Sequence, residues 1–178
     1  SEGQWDHFAY IDDMARRQVA GQTPTLFHIP RQDGGMGIRV CHAEDTANWK
    51  LQTMDDTNNI TEAEAPDTLT PDGWHRFTVK WTEAEAKLLI DGVVAGTIAN
   101  PALPSVFAQD AYVGSYDGSK DFLNTLHDDI RVSNIARADA DDLADYQADQ
   151  PLPTDANTIY KQSFDSPNDM YVRQGFVL

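Results

Sequence analysis

Residues 72–98, DGWHRFTVKWTEAEAKLLIDGVVAGTI, constrain the fold more than any other stretch of the chain. From Trp74 to Trp81 the side chains alternate. His75, Phe77, Val79 and Trp81 fall on one face, and Trp74, Arg76, Thr78 and Lys80 on the other, which is the period of a strand. After the polar link TEAEA, two apolar runs flank Asp91-Gly92. A type I′ turn needs positive φ at both central residues, and Asp-Gly meets that demand at low cost, so the spacing predicts a tight hairpin. The stretch therefore reads as three consecutive antiparallel strands, a β-meander.

The rest of the chain follows the same pattern. Trp5–Ile11, Thr23–Ile29, Met36–His42, Ala47–Met54 and Ala111–Tyr116 read as short strands, and Phe122–Ile135 is mostly extended. Turn residues separate them, including Gln32-Asp33-Gly34-Gly35 and a second Asp-Gly at Asp117-Gly118. Residues 55–71, polar and marked by proline, are expected to form a surface loop. Ala138–Ala148 carries the one helical pattern, ended by Pro151-Leu152-Pro153. Thr158–Phe164 and Met170–Val177 are further strand candidates. Roughly ten short strands with crossovers predict an all-β, two-sheet antiparallel jelly-roll sandwich, with one short C-terminal helix near 138–148. No internal repeat or composition break divides residues 1–178, so a single domain is expected.

Composition excludes several function classes. The chain has 29 acidic and 13 basic residues among 178, a formal net charge of −16. Such a chain repels nucleic acid and anionic lipid. No apolar run approaches the length of a membrane span. The one cysteine, Cys41, allows no intrachain disulfide. Gly-x-Ser-x-Gly, glycine-rich phosphate-loop and Cys-x-x-Cys motifs are missing. The histidines His7, His28, His42, His75 and His127 are scattered, without the spacing of a zinc site.

In their order, DGWHRFTVKW, KLLIDGVVAG, AYVGSYDG and LHDDIRVSNIARADADDL resemble the laminin-G-like, concanavalin A-like jelly-roll superfamily. The match runs over residues 72–145, with Asp129 where that family usually has Glu. The resemblance implies a calcium ion held by Asp128 and by Asp165 at the end of a Phe-Asp strand. Asp117 and Asp121 in the DGSKD loop are a second acidic candidate. It also implies glycan binding, for which Tyr116 at a loop tip, Trp81 and Trp49 are the candidate platforms. Catalytic jelly rolls of the glucanase type carry Glu-x-Asp-x-x-Glu on one strand, and this chain has no such motif, so no enzymatic activity is expected.

One departure from the family concerns the chain ends. No aromatic-rich run ending in Phe-Asp precedes Trp5, but one lies at Ile159–Asp165. The segment 158–178 is therefore expected to pair either with its own domain or with a neighbouring copy by strand addition. The resulting expectation is a non-catalytic extracellular or cell-surface module, binding a glycan or another surface protein. The alternatives are a filament subunit joined by its C-terminal strand and a jelly-roll polysaccharide-degrading enzyme.

Overall fold

A computed structural model describes residues 2–12, 22–43, 48–69, 72–123, 125–148, 151–163 and 176–177. Its elements in chain order are β1 (Gly3–Ile11), β2 (Thr25–Pro30), β3 (Met36–His42), β4 (Trp49–Met54), β5 (Ile60–Ala65), β6 (Gly73–Trp81), β7 (Glu85–Ile90), β8 (Val93–Ala99), β9 (Asp110–Val113), β10 (Leu126–Ser133), α1 (Asp139–Gln147), β11 (Thr158–Gln162) and β12 (Phe176–Val177). They form two six-stranded sheets, ordered β11-β10-β1-β6-β7-β8 and β12-β9-β2-β3-β4-β5. All strand pairs within them are antiparallel. The expected jelly-roll sandwich is what forms.

The meander is β6–β7–β8, and its hairpin has the predicted backbone. Asp91 has φ 53° and Gly92 φ 76°. A Cβ at Gly92 would also lie 2.8 Å from the Leu143 backbone, so the turn needs glycine twice over. The core lies between the sheets. Phe77, Val79 and Leu88 of the first sheet meet Phe27, Ile38, Val40 and Leu51 of the second, all fully buried. Trp5 stacks on Phe27 with ring centroids 5.0 Å apart.

The opposite face of β6 is buried as well, which the strand's alternation did not announce. Arg76, Thr78 and Lys80 lie under α1 at 0%, 1% and 5% exposure. There they meet Asp6 of β1, Arg131 of β10 and Asp142 of α1. Asp6 accepts hydrogen bonds from Arg76 Nη2 (2.6 Å), Thr78 Oγ1 (2.8 Å) and Arg131 Nε (2.8 Å). Asp142 accepts from Gln4 Nε2 (2.7 Å) and Lys80 Nζ (2.9 Å), and its carbonyl from Arg76 Nη1 (3.0 Å). These bonds offset the cost of desolvating the charges. Burial alone would push the Asp6 carboxyl up, yet Arg76 and Arg131 hold it below its ordinary value. At Asp142 burial prevails over Lys80 and the value is raised.

One sequence expectation is corrected. Residues 60–65, read as loop, form the edge strand β5, paired with β4 from Trp49↔Ala65 to Met54↔Ile60. Glu and Ala are poor strand formers, but cross-strand pairing decides here, as the Thr53–Thr61 hydroxyl contact of 2.7 Å shows. The Asp128-Asp129 pair lies in β10, as the extended reading of residues 122–135 expects, but the pairing with β1 shifts register there. Asp128 faces Phe8 and Arg131 faces Asp6, so two residues of β10 oppose His7 alone. Asp129, with φ 45°, sits in this β-bulge. The bulge shifts the alternation so that His127 and Ile130 both turn inward.

β11 adds to β10, from Ile130↔Gln162 to Ser133↔Thr158. Asp129 ties the two together: its carboxylate accepts the Leu152 N–H and lies 3.6 Å from Lys161 Nζ. Burial raises the Asp129 carboxyl, an effect that the Leu152 N–H and Lys161 partly offset.

Candidate functional site

The outer face of the second sheet carries a continuous polar row. Register places Tyr112 of β9, His28 of β2, Arg39 of β3, Gln52 of β4 and Glu62 of β5 side by side. Five strands spaced by about 4.8 Å make a strip roughly 19 Å long. Each member comes from a strand whose alternate residues (Phe27, Ile38, Val40, Leu51) are in the core. The polar parity is therefore forced outward.

The row is bonded laterally. Arg39 Nε donates to Gln52 Oε1 (3.0 Å), and Gln52 Nε2 donates to Glu62 Oε2 (2.9 Å). In the adjacent register Lys50 forms ion pairs with Glu64 (3.1 Å) and Glu62 (3.7 Å). Cys41 belongs to this face and is buried, and its thiol is pushed up to about 11 by that burial, so it is an inert thiol.

The loop after β9 folds over one end of the row. Tyr116 stacks on His28 with centroids 4.4 Å apart and planes 12° from parallel. The Arg39 guanidinium carbon lies 5.1 Å, and Lys120 Nζ 4.8 Å, from the centre of the same ring. His28 Nδ1 bonds the Tyr116 carbonyl oxygen, which fixes this ring nitrogen as the donor. His28 Nε2 is buried without a hydrogen-bond partner. Burial lowers the imidazole to about 4, against the opposing pull of the Tyr116 carbonyl, so it is neutral at pH 7.

The residues singled out from sequence fall in different places. Tyr116 stands at this face, half-buried. Trp49 and Trp81 are in the core at 0% and 6% exposure, Trp49 packed edge-on against Phe77 and Trp81 against Phe107. Asp117 and Asp121 share the loop with Tyr116. Asp117 Oδ1 accepts from Ser119 N (2.9 Å) and Oγ (2.7 Å), and these bonds hold it below its ordinary value. Asp121 accepts from Thr23 N (3.1 Å) and faces Arg39 at 3.9 Å. Asp128 accepts the N–H of Asp129 at 2.7 Å, and Asp165 lies outside the described residues. Among the described residues, no three His, Cys, Asp or Glu side chains gather as a metal-binding group.

Two features escaped the sequence reading. His28 is the hinge of the polar row, and its signal was present: a polar residue at the outward parity of TLFHIP, matched by Arg39 and Gln52 in the next two strands. The other is Trp74, 46% exposed, in edge contact with Tyr10 at 5.7 Å on the outer face of the first sheet.

Two six-stranded antiparallel sheets packed face to face define a jelly-roll sandwich. The chain belongs to the concanavalin A-like lectin/glucanases superfamily, whose laminin G family model matches residues 14–141. A sequence search of curated proteins finds no relative. Solved structures resemble it in fold at low identity. One is a Bacteroides ovatus protein provisionally assigned to carbohydrate binding (8% identity, TM-score 0.66, 94% of this chain and 46% of that one). Another is the receptor binding domain of botulinum neurotoxin D (11%, TM-score 0.60, 83% and 37%). A third is the heptameric SAP-like pentraxin of Limulus polyphemus (11%, TM-score 0.58, 92% and 80%). The chain thus spans less than half the length of the first two.

Proposed function

We propose that this chain is a non-catalytic glycan-binding module of an extracellular or cell-surface protein. The observation that carries this reading is the polar row Tyr112–His28–Arg39–Gln52–Glu62 with Tyr116 stacked at its end. Glycans are recognised by aromatic surface next to fixed donors and acceptors. Here the planar amide of Gln52, the guanidinium of Arg39 and the carboxylate of Glu62 are held in register by one another. The lectin/glucanase membership and the Bacteroides neighbour support the same class of ligand.

The carboxylates of this face favour binding over hydrolysis. Glycoside cleavage needs a pair of carboxyl groups, one with a raised proton affinity. Glu62, Glu64 and Asp121 are each held by a cation or amide, and Asp117 is lowered.

Glycan-array binding followed by calorimetry tests the proposal. Tyr116→Ala and Arg39→Ala are expected to weaken binding at least tenfold, while Trp74→Ala binds as the parent does. Loss confined to Trp74→Ala would move the site to the first sheet. Release of reducing sugar from any bound polysaccharide would overturn the non-catalytic part. Calcium is tested separately: if Asp128 and Asp165 share an ion, millimolar calcium raises the melting temperature of the parent and leaves Asp128→Asn unmoved. An unchanged parent after chelation ends that expectation.

A further inference from the structure

A cavity lies between the β6–β7–β8 meander and residues 66–69, and none of the polar-row residues lines it. It is about 490 Å3 and is lined by Pro66, Leu69, Ile90, Val93, Val94 and Ala95, with Thr68, His75 and Asp91. This volume and this mixture, apolar walls with a few convergent polar groups, are those of a small-molecule site.

Three local features build it. The β7–β8 ladder shifts register between Leu88 and Leu89, where Leu88 faces Gly96 and Leu89 faces Val94. Ala95 is the extra residue of that bulge, and it lines the cavity. At the rim, Val93 and Val94 are 62% and 41% exposed and form an apolar lip. At the polar end Asp91 is held in place by the tight turn. Its Oδ1 accepts the Arg76 N–H (2.9 Å), and its Oδ2 faces His75 Nδ1 (2.7 Å).

Charge then selects the ligand. The lining holds one carboxylate and no lysine or arginine, and the Arg76 guanidinium is turned to the opposite face of β6, under α1. The whole chain carries a formal charge of −16. Such a field raises the local concentration of cations and repels anions. No lining side chain other than His75 is aromatic, so the cavity does not offer the stacking surface that a sugar ring needs.

We infer that this cavity binds a small aliphatic ammonium ligand, its chain against Leu69, Val93 and Val94 and its cationic head on the Asp91 carboxylate. The site is independent of the polar row, and neither reading depends on the other.

Titration of the isotope-labelled protein with hexylamine, hexanol and hexanoate, followed by NMR, tests it. Hexylamine is expected to shift the methyl signals of Val93, Val94 and Leu69 saturably, to bind at least tenfold more tightly than hexanol, and to weaken with salt. Asp91→Asn keeps a residue that tolerates positive φ, so the hairpin should survive, and the preference for the amine should vanish. Ala95→Leu fills the cavity and should abolish all shifts. Its fold is checked by unchanged amide signals in the second sheet. Equal binding of hexylamine and hexanoate, shifts that do not saturate, or a preference that persists in Asp91→Asn would overturn the assignment.

Discussion

Replacing Asp6 with alanine should lower folding stability by about 3–5 kcal/mol, the cost of removing one partner from a buried ion cluster. For a chain of this size that is a fall of about 10 °C in melting temperature. The reason is specific. Arg76 and Arg131 are 0% exposed, and both direct a guanidinium at this one carboxylate. Without it two cations stay buried between sheet and helix, with Asp142 and Asp145 as their remaining counter-charges. Asp139→Ala provides the contrast. That carboxylate pairs with Lys80 and Lys87 but is 42% exposed, so its removal should cost about 1 kcal/mol or less. Urea unfolding of both variants decides the matter. Equal losses would mean that the cluster is no more than a solvated surface network.

The second large effect is acid lability. His7 and His127 lie together between the sheets, Nε2 of one 2.6 Å from Nδ1 of the other. A methyl group at Gly114 would sit 2.8 Å from His127 Nε2, so the pair has no slack on that side. Burial pushes His127 down to about 4. It pushes His7 well below its ordinary value, and the neighbouring imidazole adds to the effect. His28 is likewise lowered by burial to about 4. Folded, these rings stay neutral, while the unfolded chain takes up protons as pH falls through about 6.5. Stability is therefore intact above that value and is lost progressively toward pH 4, by at most about 1.4 kcal/mol per pH unit for each histidine. Urea midpoints between pH 7.5 and 4.5 should fall steeply, and a variant with apolar residues at 7 and 127 should flatten the curve by about two protons. A parent whose midpoint is level across this range would contradict the buried-neutral assignment.

The parts legible from sequence were those fixed by local rules. Asp91-Gly92 demanded a turn with two positive φ values, and alternation in β6 gave its two faces. The apolar parity of TLFHIP, MGIRVCH and WKLQTM marked the second sheet. What was illegible depends on partners far along the chain. The burial of Arg76 and Lys80 had no local signal, because Asp6, Asp139 and Asp142 reach them only after folding. Residues 60–65 read as loop because Glu and Ala carry no strand preference of their own. Trp49 and Trp81 were named as ligand platforms by residue type, but position governs, and both pack between the sheets. Tyr116 could be placed near a loop tip, whereas its stacking on His28 follows from the pairing of β2 with β9, which no local signal encodes.

The central place of β1 has a consequence for how the molecule is made. This strand leaves the ribosome well before its neighbours β6 and β10, at residues 73–81 and 126–133. Contacts of such long sequence separation close slowly. Trp5, Ala9 and Ile11 therefore wait, unpaired on one side, until β10 has emerged. α1 has only nine residues and no basic residue in its last turn, so it gains stability only by docking on that finished sheet. The nascent chain passes through a period with an open sheet edge and apolar side chains uncovered, the condition in which holdase chaperones engage a substrate.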